Sequence, residues 1–418
     1  MSQNTTRSAD RTAQPGAAAA EPPEFPMQRT CPFDPPAEYA ALRAEQPAVR
    51  VRVPTGQIAW LVTRYEDVRR LLVDPRVSAD RFHAAMPMTE EVTAETRRRI
   101  AASGRSLIGL DQPEHGPRRR MLIPEFTLRR AQELRPHIQH TVDDCVDEIL
   151  AGPKPVDLVT ALAEPVPART LTQLLGMPYE DRELIERTAT AMLRRNVTPE
   201  ERQRTGGEMR AYVDRLVSAK EADPTDDLLG RLVLRNRETR IYDHDLMVGV
   251  TMLLLIAGFE TTVNMIALGA AALLQEPDRL PEITADPAAA GRAVEELLRY
   301  FSVVDALPRV TTADIEVGGV TIPADSGLLL SFASANWDDT VFPDAATMDS
   351  RRGARHHLAF GYGIHQCIGQ NLARAELEIV FRTLFTRIPG LRLATELDRL
   401  PFKRDSNIYG VDALPVTW

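Results

Sequence analysis

One cysteine in this chain stands in a setting that could give it chemistry. The segment Phe360 to Gly369 reads F-G-Y-G-I-H-Q-C-I-G, and two glycines two residues apart, Gly361 and Gly363, permit a tight turn just before Cys367. Helical spacing resumes at Ile368 and continues to Phe385. The Cys367 sulfur should then face a helix N-terminus, where unpaired N–H groups and the dipole favour a thiolate. Gly369 removes a side chain where a flat ligand would need close approach. A lone cysteine is most often a buried inert thiol, and zinc fits worse, because C-x-x-C and H-E-x-x-H are both missing. A dinucleotide fingerprint would need glycine where Gln366 stands.

More chemistry sits in the longest apolar stretch, Met247 to Leu274, which contains A-G-F-E-T-T at Ala257 to Thr262. Glycine inside a helix costs about 1 kcal/mol relative to alanine, and a carboxylate in an apolar helix is costly unless partnered. Such local costs mark a site. Small residues at Ala257 and Gly258 would open a groove for a small ligand, while Glu260 and Thr261 set an acid beside an alcohol. The alternative has Thr261 bonded back to its own helix and Glu260 reaching outward. Farther on, Glu296 and Arg299 lie at i and i+3 on one helix face, a pattern common on surfaces and weak alone.

These residues need elements to hold them. A short helix is expected over Pro36 to Glu45, then a hairpin in which Val49 to Val53 and Ile58 to Thr63 flank Pro54-Thr55-Gly56, then a helix over Tyr65 to Val73. From Val77 to Gly109 no periodicity persists and a long loop with short helical pieces is expected. Glu114 to about Arg235 reads as amphipathic helices punctuated by prolines, including Pro136, Pro165 and Pro199. Asp245 to Gln275 forms one helix, which at about 1.5 Å per residue runs roughly 46 Å. Strands return as Ile315 to Val317, Val320 to Pro323 and Leu328 to Phe332. The fold expected is mainly α with a small β portion, as one domain over 29–418 behind a disordered tail over 1–28.

Composition removes several functions. The chain has 418 residues, 59 acidic against 50 basic, for a net charge of −9, which disfavours nucleic acid or anionic membrane as a general partner. Three scattered cysteines, Cys31, Cys145 and Cys367, do not make a disulfide framework and suit a reducing compartment, so a cytoplasmic protein is expected. Glu260, Thr261, Thr262 and Asn264 at the middle of the long apolar stretch favour a buried helix over a membrane span.

The complete pattern F-x-x-G-x-x-x-C-x-G resembles the haem-ligand loop of the cytochrome P450 monooxygenases. The resemblance covers about Pro26 to Trp418 and is nearest to soluble bacterial members that oxidise drug-like, steroid or macrolide molecules. It implies a cytochrome P450 fold and haem b with Cys367 as thiolate ligand, flanked by Phe360, Gly361 and Gly369. The segment A-G-F-E-T-T looks like the family's oxygen-binding signature, lined by Ala257 and Gly258, in which Glu260 and Thr261 carry protons; Phe259 stands where many soluble relatives have His. Glu296 and Arg299 match the family's E-x-x-R, whose partner is expected to be Arg352, with Arg351 or Arg355 as alternatives. Trp337 in A-N-W-D and Met348 depart from the usual Arg and Phe. His115 and Arg119 resemble the H-x-x-x-R propionate contacts, and Arg309 and His365 match the other two.

The same resemblance implies partners. Electrons come from a ferredoxin with an NAD(P)H-dependent ferredoxin reductase, since no flavin or iron–sulfur motif is present, and Arg118, Arg120, Arg129 and Arg130 form the expected docking patch alongside Arg119. Dioxygen and a hydrophobic small molecule are the other reactants, and the protein is expected to be a monomer. By family position the substrate meets the loop beginning at Phe82, Met192, Leu254, Val304, Leu307 and Ile408. Two other readings are a haem-thiolate isomerase, dehydratase or peroxygenase, against which the Glu260–Thr261 pair argues, and a haem sensor without turnover.

Overall fold

A helix of 30 residues, α9 (His244–Leu273), runs through the middle of the molecule, and the other elements are arranged about it. The computed structural model describes residues 21–88 and 107–418, so residues 1–20 of the expected tail and 89–106 of the expected loop lie outside the described residues. Helix α9 begins where the Asp243 side chain accepts the Leu246 N–H, and every residue from Thr262 to Leu274 is buried. It is long and apolar enough to cross a membrane, and it is nevertheless a core helix.

The helices before it are α1 (Glu38–Glu45), α2 (Tyr65–Leu71), α3 (His115–Leu122), α4 (Leu128–Ala151), α5 (Pro165–Leu175), α6 (Arg182–Leu193), α7 (Pro199–Ala222) and α8 (Leu228–Thr239). After it come α10 (Leu280–Thr284), α11 (Pro287–Phe301), α12 (Phe332–Ala335) and α13 (Gln370–Arg387). Prolines open α5, α7 and α11 at a position that has no intrahelical N–H partner to lose. Pro136 does not punctuate: it lies inside α4, where the loss of one helical bond is offset by a buried face of Ile138, Val142, Cys145, Val146 and Ile149. Helices α4, α9, α11 and α13 pack on one another and hold the main core.

A five-stranded sheet carries the order β1-β2-β8-β5-β3, from β1 (Ala48–Arg52), β2 (Ile58–Val62), β3 (Val77–Ser78), β5 (Ala306–Thr311) and β8 (Gly327–Ser331). The hairpin β1–β2 turns at Gly56, φ +80°, and β2 lies parallel to β8. Two smaller sheets join β4 (Val156–Asp157), β9 (Arg392–Leu393) and β10 (Pro415–Thr417), and β6 (Ile315–Val317) with β7 (Val320–Ile322). The part of the expected tail that is described is paired rather than loose. Phe25 N–H donates to Arg52 O, Arg52 N–H to Pro23 O, and the Phe25 ring is buried against the sheet.

Candidate haem-thiolate site

The cysteine loop is built from two left-handed glycines. Gly361 (φ +69°) and Gly363 (φ +75°) reverse the chain, and the Cys367 N–H closes the loop on Phe360 O at 2.8 Å. A short 3₁₀ turn over Gly363–His365 follows, and α13 starts at Gln370, two residues later than expected. Burial pushes the Cys367 thiol up, against which the N–H groups of Gly369 and Gln370 and the charges of Arg119 and Arg374 pull it down. The side chain is nonetheless accessible, which places the sulfur in a cleft within the protein. A Cβ on Gly369 would stand 4.0 Å from that sulfur, so the bare glycine keeps its flank clear.

Four side chains from separate segments converge near it. His115 and Arg119 come from α3, Arg309 from β5 and His365 from the loop, and the His115 and His365 rings lie 4.2 Å apart. Burial, then the charges of Arg309, His115 and Arg119, lower His365 to about 3. Burial lowers Arg309 to about 10, with Arg81 adding to the effect. Among the described residues, both ring nitrogens of His115 and the Nε2 of His365 are buried without a hydrogen-bond partner. Asp111, a carboxylate close to them, already accepts from Ser78 Oγ at 2.5 Å and Ala79 N at 2.8 Å. Two guanidiniums and two neutral imidazoles with unused ring nitrogens beside a cysteine loop fit the two carboxylates of a haem. Arg81 was not singled out from the sequence, where an arginine in S-A-D-R-F carries no spacing signal.

The acid and the alcohol of α9 divide between the two alternatives. Thr261 Oγ1 donates to Ala257 O at 2.7 Å, the bond back to its own helix. Glu260 does not reach outward: it is buried, and its Oε1 accepts from Lys403 Nζ at 2.6 Å and from Asn264 Nδ2 at 3.0 Å. Among the described residues no hydrogen bond joins Glu260 to Thr261. Lys403 and Asn264 had no motif to mark them, and Asn264 Oδ1 is left buried without a donor. Ala257 is exposed in the middle of this core helix, as a groove requires. Gly258 serves another purpose, because a Cβ there would come within 2.9 Å of Leu171 on α5. Its smallness lets two helices meet.

Glu296 and Arg299 are fully buried and bidentate, at 2.9 and 2.7 Å. Arg352 is the third member, with its Nε 3.1 Å from Glu296 Oε1, whereas Arg351 pairs with Asp349 and Arg355 is exposed. Trp337 is accommodated by its Nε1–H donating to Tyr300 O.

Phe82, Leu254, Val304 and Leu307 are partly buried, and Ile408 is buried next to Tyr409, whose N–H donates to Val303 O. Met192 lies instead against α7, its methyl 2.5 Å from where a Cβ on Gly206 would be, so it fills a helix–helix contact. In the arginine patch Arg120 is exposed, Arg118 pairs with Glu114, and Arg129 and Arg130 both pair with Glu133. A separate hollow of about 250 Å³ lined by Arg135, Gln139, Glu378 and Arg382 contains none of these groups.

Comparison with known proteins finds relatives along nearly the whole chain. The family profile described as Cytochrome P450 matches residues 291–388. Pentalenic acid synthase of Streptomyces avermitilis is 45% identical over 405 residues, covering 97% of this chain and all of its own. The 20-oxo-5-O-mycaminosyltylactone 23-monooxygenase of Streptomyces fradiae is 43% identical over 396 residues, covering 94% of this chain and 92% of its own. The crystal structure of mycinamicin VIII C21 methyl hydroxylase MycCI from Micromonospora griseorubida, bound to mycinamicin VIII, superposes with a TM-score of 0.88 at 42% identity, covering 95% of this chain and all of that one.

Proposed function

Since the chain belongs to the cytochrome P450 family and is a haem-thiolate monooxygenase, we propose that Cys367 is its iron ligand and that it oxidises a macrolide or related polyketide-sized secondary metabolite with electrons from a ferredoxin. The observation that carries the site assignment is the convergence of His115, Arg119, Arg309 and His365, with unused donors, beside the cysteine loop. The substrate class rests on the names of the two macrolide-acting relatives and on the partly apolar set Phe82, Leu254, Val304, Leu307 and Ile408. We further take the protein to act as a cytoplasmic monomer.

The haem, when bound through a thiolate, supplies dioxygen activation, which a histidine ligand would not favour. The chain's own work is holding that group, moving protons and excluding water. Arg119, whose guanidinium donates to Gln366 O, ties α3 to the cysteine loop, and together with His115, Arg309 and His365 it would hold the propionates. Thr261 Oγ1 donates its hydrogen bond to Ala257 O and keeps its lone pairs to accept one, so it would relay a proton only by accepting a hydrogen bond from a further donor as it turns its own away from Ala257. Glu260 is the acid one residue away, and Lys403 holds its carboxylate until the pair opens.

Purified protein reconstituted with haem tests this reading. A thiolate-type ferrous carbonyl spectrum is expected, lost in Cys367→Ala, together with NADH-dependent oxidation of macrolide aglycones when a surrogate ferredoxin and reductase are supplied. A wild-type spectrum of imidazole type overturns the ligand assignment, and turnover confined to added peroxide overturns the ferredoxin route.

A further inference from the structure

We propose that the buried ion pair between Glu295 and Arg374 positions Phe360 and sets the electric field at the Cys367 sulfur, so that both are positioning residues for the thiolate. The proposal rests on Cys367 being the haem ligand. Neighbouring acids on α11 serve different loops: Glu296 binds Arg299 and Arg352, while Glu295 turns to the cysteine loop.

Glu295 Oε1 accepts from Arg374 Nε at 2.6 Å, and its Oε2 accepts from Arg374 Nη2 at 3.2 Å. Its Oε2 also lies 3.2 Å from His357 Nε2. Arg374 belongs to α13, the helix that begins just after Cys367, and its Nη1 reaches Gln370 Oε1 at 2.9 Å. The guanidinium carbon sits 4.6 Å from the centre of the Phe360 ring. Phe360 in turn accepts the Cys367 N–H, so the ring stacked on Arg374 and the carbonyl that fixes the cysteine belong to one residue. From the other side, His357 Nδ1 accepts the Ala359 N–H at 3.2 Å and its ring lies 5.8 Å from that of Phe360. One carboxylate therefore braces residues 357–360 at two points.

A brace alone does not call for charge, since apolar residues of similar volume can replace a buried ion pair with little loss. These charges act where dielectric screening is weak. Burial raises the Glu295 carboxyl, but hydrogen bonds from His357 and Arg374 outweigh it and bring it down to about 2, so the carboxylate is charged at every working pH. Arg374 stands on the helix that begins just after Cys367, and its guanidinium lies against the ring of the residue whose carbonyl accepts the Cys367 N–H. Hydrogen bonding and charge around a thiolate ligand are recognised levers on the reduction potential.

The test uses holoenzyme and two readouts that are not turnover: the equilibrium reduction potential and the Soret band of the ferrous carbonyl adduct. Arg374→Met leaves Glu295 uncompensated and lowers the potential; Glu295→Gln leaves Arg374 uncompensated and raises it; the double variant returns toward wild type. Arg374→Lys and Glu295→Asp keep the charges and stay near wild type. Shifts of the same sign, or none, mean the pair is only a brace and overturn the proposal. If one variant does not retain haem, the sign of the other still decides. A wild-type protein without a thiolate-type spectrum is a different failure, that of the ligand assignment, and removes the proposal with it.

Discussion

Lys403 and Glu260, 143 residues apart in the chain, form a buried ion pair at 2.6 Å in the middle of the molecule. Removing one partner leaves an uncompensated charge in a medium that cannot solvate it, at a cost of about 3–5 kcal/mol. Lys403→Met should therefore lower the melting temperature clearly, and Glu260→Gln should lower it less, because its amide still accepts from Lys403 and Asn264. Their effects should not add. Thermal unfolding of the two single variants and the double variant measures the coupling, and additivity would show that the pair does not exist in solution.

Glu376 on α13 is buried, and desolvation raises its carboxyl to about 8, with the nearby Thr170 hydroxyl pulling it down only in part. The native side chain then stays protonated where the unfolded one ionises. Between an unfolded value of about 4.3 and the native value, the native state binds the extra proton, so stability falls as pH rises, by up to roughly 1.4 kcal/mol per pH unit. Below that window the contribution is fully present. Glu376→Gln should abolish this slope and be relatively more stable at pH 8 than at pH 5. Equal slopes for the two proteins would mean that Glu376 is ionised in the native state.

The propionate assignment predicts loss of haem rather than loss of fold. Arg309→Leu removes a buried guanidinium that crowds other cations, so the haem-free protein should not lose stability. Haem transfer to a scavenger globin should be faster by about ten- to a hundredfold, the worth of one charged hydrogen bond of about 1.5–3 kcal/mol. His115→Phe should act in the same direction, more weakly. If both variants keep haem as tightly as wild type, the cluster binds something else.

What could be read from the sequence follows the distance over which a signal is written. The cysteine loop and the E-x-x-R pair were legible because each lies in one short segment that can be matched to a known family's motif, whereas the choice of Arg352 over Arg351 and Arg355 is made by the position of its Nε beside Glu296. Lys403 was not, since nothing in P-F-K-R-D shows that its ammonium meets α9. Glu295 and Arg374, 79 residues apart, were hidden behind the better-known Glu296 beside them. In the fold, β5 escaped notice because Pro308 interrupts a run that otherwise pairs on both sides, and β4, β9 and β10 are too short to show alternation. Gly258 was assigned to a groove on its size alone, and only the position of Leu171 shows that the space belongs to helix packing.

Electron delivery gives a test in which two changes must act in opposite directions. Arg129 and Arg130 both pair with Glu133, at 3.0 and 2.7 Å, so the patch is partly masked by its own acid. Exposed pairs of this kind contribute at most about 1 kcal/mol to stability, so changing them leaves the fold intact. If an acidic ferredoxin is steered to this surface, Glu133→Gln should speed its association by unmasking two cations, and Arg129→Glu with Arg130→Glu should slow it by about tenfold or more at low salt. Both effects should shrink as ionic strength rises past about 0.15 M, where the screening length falls to about 8 Å. Stopped-flow reduction by a surrogate ferredoxin across a salt series reads the rates, and the substrate-induced spin-state change serves as a control that should not move. Rates that do not respond to either change would place the electron entry point away from α4.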